Sequence, residues 1–234
     1  MIKNIFITLL AILSLGTVAL AQGIAPTAEK LIANQVGFFA LYNSDGNGNR
    51  TENAIGGGYV AVYSPNIGKV SVTFTNFGSI EESSVTPVGG RQLTSDTSVL
   101  VPLDLKLPFG GESSNVYLVG NTRLLWQSGD GTNGSKFIAS PGFGVGFKIP
   151  SAIGDSYTEY IYVPSINAAN SNMQEHRVAY SLYRPLNDNP KYRFFSRVTA
   201  STGRFDPIPV PLNFTGAGTP YYNVKIAVGI TRTY

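Results

Sequence analysis

The sequence has no cysteine and only one histidine, and these two shortages exclude several kinds of protein. Without cysteine the chain can form no disulfide and carry no lipid on an N-terminal thiol. Zinc sites draw on several histidine and cysteine ligands, which this chain cannot supply. Charged residues make up 13% of the chain and the net charge is only +3, without the clustered Lys and Arg of a nucleic-acid footprint. We therefore expect no cofactor, no metal and no nucleic-acid partner.

Groups that perform catalysis are also scarce. His176 lies in the segment Gln174–Arg177, and no Gly-x-Ser-x-Gly turn is present to supply a nucleophile for it. Glycoside hydrolysis needs only two carboxylates, but nothing in the sequence selects a pair among the candidates Glu81, Glu82, Asp104, Asp155 and Glu159. We predict that the protein is not an enzyme.

The N-terminus has the pattern of a secretory signal peptide. Lys3 precedes an apolar run over Ile5–Leu20, and Ala19-Leu20-Ala21 is a small-x-small cleavage site. Cleavage after Ala21 makes residues 1–21 the signal peptide and residues 22–234 the mature chain. No later segment is apolar for long enough to cross a bilayer as a helix, so we expect no stable membrane span in the mature chain.

Alternating apolar and polar residues predict an all-β fold. The clearest run places Val99, Val101, Leu103, Leu105 and Leu107 on one face. The chain also has 26 Gly and 14 Pro, which is typical of many turns. We predict about ten strands in a single antiparallel β-sandwich, jelly-roll-like or Ig-like, over residues 35–234, preceded by an N-terminal extension over residues 22–34.

Two sets of polar loop residues are candidates for binding or modification. Asp45, Asn47 and Asn49 offer side-chain oxygens at every second position, a weak pattern for calcium. Asn49, Asn133 and Asn213 each begin an Asn-x-Ser/Thr sequence, which makes them candidates for glycosylation in an exported protein.

The N-terminal extension could supply a strand to a neighbouring subunit. Its small and aliphatic residues could add to the open edge of another sandwich, and head-to-tail repetition of that contact would build a filament. These donor-strand candidates are Ile24, Pro26, Ala28, Leu31 and Ile32.

The segment Lys69–Ile80 resembles an early strand of secreted β-sandwich fibre subunits of the TasA and camelysin type, and of related archaeal thread or pilus subunits. The resemblance implies a jelly-roll-like domain that polymerises by donating its N-terminal strand. On this interpretation the protein is secreted to the cell surface, and its partners are copies of itself in a homopolymer.

Two alternatives remain open, of which the first is an outer-membrane β-barrel. Val224, Ile226, Val228 and Ile230 alternate within the C-terminal strand, as on a lipid-facing wall. Against a barrel stand Arg232 on the same face, the prolines in several strands, and predicted runs shorter than a spanning strand.

The second alternative is a secreted carbohydrate-binding or adhesive module. It would use exposed tyrosines and Trp126 to stack on sugars. Because Trp126 alternates with Leu124 in its strand, however, we expect Trp126 to be buried rather than displayed.

Overall fold

A computed structural model describes the chain over residues 34–47, 50–67, 70–83, 91–103, 115–127, 136–151, 153–168, 171–186, 189–205 and 219–234. These residues form β-strands. The strands are β1 (Gln35–Asn47), β2 (Arg50–Tyr63), β3 (Asn66–Ile67), β4 (Val70–Ser71), β5 (Thr73–Ser83), β6 (Arg91–Leu103), β7 (Asn115–Gln127), β8 (Lys136–Ser151), β9 (Gly154–Ala168), β10 (Ser171–Leu186), β11 (Asn189–Phe205) and β12 (Thr219–Thr233).

Ten of the strands in the described ranges close into one antiparallel barrel, in the order β1-β12-β11-β10-β9-β8-β7-β6-β5-β2. The closing ladder runs from Gln35 opposite Thr233 to Asn47 opposite Tyr221. The prediction of an open β-sandwich is therefore wrong, because the sheet closes into a barrel. The predictions of an all-β fold and of antiparallel pairing are confirmed. A sandwich has two sheets with free edges, whereas here both sides of each of the ten strands are paired.

Asn34, the first described residue, and the C-terminal Tyr234 lie at one rim of the barrel, where the Tyr234 N–H donates to the Asn34 carbonyl at 3.0 Å. We call this rim the termini end and the opposite rim the far end. The two-stranded ribbon of β3 and β4 joins β2 to β5 at the termini end. Val70 and Val72 of this connection pack on Val101 of β6. The backbone N–H of Val72 also donates to the Pro65 carbonyl at 3.0 Å, so the connection is folded against the rim.

Side chains alternate strictly between the two faces of the wall, as β1 shows. Gln35, Phe39, Leu41 and Asn43 point inward and are buried. The residues between them point outward, and Phe38 is 75% exposed. The other barrel strands continue this alternation, so the wall has an outer face that is largely apolar and an inner face that carries most of the buried polar groups.

The strands are longer than sequence periodicity predicts. Alternation over 115–119 and over 123–127 predicts two separate strands, but both runs belong to β7. Residues 79–98 lack a clear alternating pattern and predict a long connection, but they include the end of β5 and the start of β6. Polar residues such as Asn121 interrupt the aliphatic pattern because they face the barrel interior, where they hydrogen-bond to other side chains.

Glycines on the inner face of β8 make room for large neighbours. A Cβ on Gly146 would lie 2.5 Å from the Tyr157 hydroxyl and 3.2 Å from a methyl of Val119. The glycine-rich run of β8 thus serves close packing inside the barrel, because a glycine within a strand admits a close neighbour.

We expect Gly146→Val to destabilise the barrel by roughly 1–3 kcal/mol, because the added methyls overlap the buried Tyr157 ring. Unfolding by urea, followed by the fluorescence of the single tryptophan, measures the change. Val145→Ile, one residue away on the outer face, is the matched control and should have little effect. Equal stability of both variants would contradict this account of the packing.

Candidate functional site

The barrel interior holds a layer of charged side chains from five strands, which we call the charged layer. Strict alternation places each of them inward, between outward-facing neighbours, near the middle of its strand or towards the far end. Its members are Asp96 of β6, Arg123 of β7, Glu159 of β9, Glu175 and Arg177 of β10, and Arg197 of β11.

Arg177 is the centre of the largest group in the charged layer. Its side chain is fully buried and donates to Asp96 at 3.2 Å and to Glu175 at 3.0 Å. Arg123 bridges the same two carboxylates, each at 3.4 Å. Asn121 links the group further by donating to Asp96 at 2.5 Å and accepting from Arg177 at 3.0 Å. Two arginines thus neutralise two acids within one hydrogen-bonded network.

Arg197 forms a second ion pair beside that network. Its guanidinium donates to Glu159 at 3.4 Å and to the Ser181 hydroxyl at 2.9 Å. The guanidinium carbon also lies 4.2 Å from the ring centroid of Phe77, a geometry in which the aromatic face attracts the cation. Arg197 therefore joins the charged layer to the aromatic residues next to it.

A third group links β1, β5 and β12 on another side of the interior. The Lys225 ammonium donates to Glu81 at 2.6 Å. Asn43 also donates to Glu81, at 2.6 Å, and accepts from Asn223. Because β1 and β12 are the strands that close the barrel, this group ties the closing pair to the wall at β5.

Aromatic side chains fill the interior on the termini side of the charged layer. Phe195 lies 5.2 Å from Tyr183, 5.8 Å from Phe77 and 6.0 Å from Phe39 between ring centroids. Tyr117 and Tyr157 form another pair at 6.0 Å. We call these six residues the aromatic layer.

A cavity of about 50 Å³ lies between the Lys225 group and the charged layer. This volume has room for a few water molecules rather than for a solute. Its lining combines apolar side chains with charged ones that already belong to ion pairs, among them Phe39, Phe77, Asp96, Arg123, Arg197 and Lys225.

The outer wall has the dimensions of a lipid-facing band. On β12, Val224, Ile226, Val228 and Ile230 are exposed between Tyr222 and Arg232. The separation of Tyr222 and Arg232 corresponds to about 33 Å along a strand, or about 24 Å when the strand is tilted by about 45°. Outer-membrane barrels have an apolar band about 25 Å tall. Arg232 lies at the edge of this band, with its guanidinium 5.3 Å from the ring of Tyr234.

An apolar exterior around a charged interior defines an outer-membrane-type β-barrel, because water-soluble proteins place these residues the other way round. The alternative interpretation of the sequence is thereby confirmed. The expectation of no membrane span in the mature chain is wrong, since strands rather than a helix cross the bilayer. Among the described residues there is no helix long and apolar enough to do so.

The comparisons with known proteins add little to this assignment. No protein-family model matches the chain, and no curated protein matches it. Among solved structures, Pseudomonas aeruginosa OpdO is similar over 85% of this chain and 96% of its own, with 8% identity and a TM-score of 0.25. P. aeruginosa OccK11 (OpdR) is similar over 86% of this chain and 96% of its own, with 7% identity and a TM-score of 0.20. Because these TM-scores are low, the assignment to outer-membrane-type barrels depends on the apolar outer wall and the charged interior of this chain.

Closure of the barrel overturns the interpretation as a fibre subunit. The resemblance to TasA- and camelysin-type subunits and to archaeal threads or pili implied an open edge that receives a donated strand. The segment that carries it, 69–80, instead includes β4 and most of β5, and β5 pairs with β2 and β6 in the wall. The filament, the donor-strand mechanism and the homopolymer partner are therefore wrong. A cell-surface location is compatible with the apolar wall, whereas free secretion is not.

Most of the sequence-based site candidates lie outside the described residues. These are the donor-strand candidates Ile24, Pro26, Ala28, Leu31 and Ile32, and the sequon residues Asn49, Asn133 and Asn213. Asp45 and Asn47 of the calcium candidate end β1, where their backbones pair with Glu52 and Arg50. No cluster of three metal-binding side chains occurs in the described ranges. Calcium binding and glycosylation stay predictions.

The residues considered for catalysis are dispersed by the fold. His176 is on the outer wall, where the hydroxyl of Tyr160 lies 2.7 Å from its Nδ1. Glu81 and Glu159 are paired inside the barrel, and Asp155 pairs with Arg193 at 2.8 Å near the termini end. Glu82 is exposed, and Asp104 lies outside the described residues. Trp126, expected to be buried, is on the outer wall and 36% exposed.

We expect Arg177→Met to destabilise the barrel by roughly 3–5 kcal/mol, because it leaves the buried Asp96 and Glu175 carboxylates with too little positive charge. Urea unfolding in vesicles measures the loss. Adding Glu175→Gln should recover part of it, since the second change removes one of the two carboxylates. Arg184→Met, at an exposed arginine of the same strand, is the control. An equal cost at positions 177 and 184 would contradict the ion-pair account.

Proposed function

We propose that the protein resides in an outer membrane as a barrel with an occluded interior, and that it performs no catalysis. The observation that carries the proposal is the combination of a lipid-facing wall with a filled interior. The closed wall anchors the chain in the bilayer. In this proposal the barrel is a stable scaffold rather than a general diffusion pore.

The filling of the interior supports a closed state. Six aromatic side chains occupy the termini side of the barrel, and Phe195, Tyr117 and Tyr183 are each at most 1% exposed. Next to them the charged layer carries three arginines, all paired with acids. A permeating ion would have to break these pairs and displace the rings, two of which line the cavity of about 50 Å³.

The surroundings of the acids support the absence of catalysis. A carboxylate acting as general acid or base must reach a substrate. Glu81, Glu159 and Glu175 are buried and bound to cations. His176 faces outward, away from the charged layer, so no nucleophile and base are brought together at the interior site.

Arginine substitutions along β12 test whether the outer wall faces lipid. Ile226 is the central residue of β12 and is 42% exposed. We expect Ile226→Arg to lower the free energy of unfolding in vesicles by roughly 2–4 kcal/mol, because a cation at the bilayer midplane is poorly solvated. Ile230→Arg, near the edge of the band, is the matched control and should cost less. Near-zero effects at both positions would indicate a barrel surrounded by water.

Recordings across planar lipid bilayers test the closed interior. We expect the wild-type protein to insert without steady conductance steps, because the aromatic and charged layers fill the barrel. The triple variant Phe195→Ala/Tyr183→Ala/Arg197→Ala should conduct, since it removes two rings from the aromatic layer and one cation from the charged layer. The same urea assay checks that the variant is folded. Steady open channels in the wild type would overturn the proposal and favour a solute pathway through the charged layer.

A further inference from the structure

The lipid-facing wall is interrupted by a group of polar side chains on three neighbouring strands. Asn76 of β5 lies opposite Thr97 of β6, which lies opposite Thr122 of β7. Ser95 is two residues from Thr97 on the same face of β6. We call Asn76, Ser95, Thr97 and Thr122 the polar patch.

The alternation of the wall shows that the polar patch faces outward. Thr75 and Phe77, on either side of Asn76, point into the barrel, where Phe77 packs on Phe195. Asp96 and Ser98 flank Thr97 and join the interior network through Asn121. Asn121 and Arg123 in turn flank Thr122. Because adjacent residues of a strand point to opposite faces, the members of the patch must lie on the outside.

The polar patch lies at mid-height in the wall. Thr97 is the central residue of β6, and Thr122 is one residue from the centre of β7. Apolar residues surround the patch, with Ile80, Leu93 and Phe143 between 41% and 60% exposed. On the opposite side of the barrel, β10, β11 and β12 present Val178, Val198 and Ile226 in the corresponding central region. His176 and Ser196 also face outward on that side, but they are separate from each other, whereas the four members of the polar patch adjoin one another.

Hydrogen bonds within the polar patch satisfy only part of its capacity. Asn76 donates to Ser95 at 3.0 Å and to Thr97 at 2.7 Å. The two hydroxyls accept these bonds, so their own O–H groups remain available as donors. Within the described ranges, the Asn76 side-chain carbonyl oxygen accepts no hydrogen bond. Lipid tails offer neither donors nor acceptors. The free carbonyl and hydroxyl groups therefore need a polar partner at the depth of the hydrocarbon.

We propose that the polar patch is the contact between two copies of this barrel lying side by side in the membrane. A two-fold axis at the patch would place the hydroxyls of each copy against the Asn76 carbonyl of the other, because a two-fold contact brings a surface against itself. Gly120 lies two residues from Thr122 on the same face of β7, and a small residue lets two membrane-embedded walls approach closely.

The absence of any charged side chain from the polar patch favours a second copy over a charged partner. The pairing is a closed contact within the membrane and does not restore the fibre, which needed a free strand edge. It rests on the outer-membrane location proposed above.

Because the chain has no natural cysteine, single cysteines can test the pairing directly. Thr97→Cys in lipid vesicles should give a disulfide-linked dimer upon mild oxidation. Val198→Cys is the matched control, since β11 is five strands from β6 around the barrel and Val198 faces lipid. Thr122→Cys provides a second patch position in case Thr97→Cys does not fold.

The pattern of cross-links decides between the outcomes. Cross-linking at the patch positions but not at Val198 supports the pairing. Equal cross-linking at both sites means random collision, and its absence at positions 97 and 122 in folded protein means that the patch has another partner; either result overturns the proposal. Removal of the protein from vesicles by alkaline carbonate would instead show that the membrane location itself is wrong.

A variant without polar groups tests what holds the pair together. Asn76→Leu/Thr97→Val keeps similar volumes but removes the amide and one hydroxyl. Energy transfer between fluorophores on Val198→Cys copies should show roughly tenfold weaker association than in the same labelled protein with its natural patch. Val178→Ala/Ile226→Val, which changes only apolar residues elsewhere on the wall, should leave association unchanged. Unaltered association in the patch variant would contradict a hydrogen-bonded contact.

Discussion

The antiparallel ladder between β1 and β12 is the interaction on which the rest of the structure depends. It joins the first and last barrel strands over their whole lengths, from Gln35 opposite Thr233 to Asn47 opposite Tyr221. A sheet in lipid must satisfy every backbone group internally, because the hydrocarbon offers no hydrogen bonds. Closure meets this requirement, and it also creates an inside, which gives each strand one enclosed face and one face towards the bilayer.

The enclosed face explains why many of the protein's few charged side chains are buried. Arg177, Asp96 and Glu175 would be costly to bury singly, but they neutralise and hydrogen-bond one another. Arg197 continues the pattern with Glu159 and stacks on Phe77. The interior is thereby filled by mutually dependent side chains, and the same pairing that stabilises the barrel closes the route through it.

Sequence reasoning reached the antiparallel all-β class and many of the strands, and it weighed the barrel as an alternative. It preferred a sandwich because the apolar runs are short, prolines interrupt several strands and Arg232 breaks an apolar face. The short runs and the position of Arg232 have separate physical reasons. Strands such as β7 continue through Asn121 and Arg123, which face the interior, and Arg232 lies at the edge of the apolar band. The interior network was missed because Asp96, Arg123 and Arg177 are far apart along the chain.

By itself, the sequence determined the alternation on each strand: Asn223 and Lys225 on one face of β12, and Val224 and Ile226 on the other. Alternation has a period of two and is the same whether the polar face meets water or a partner inside a barrel. Only the tertiary structure decided which face is enclosed, because that depends on whether the first strand pairs with the last. Because of this long-range pairing, the chain forms a closed barrel with an apolar face towards lipid instead of the soluble sandwich that the sequence predicts.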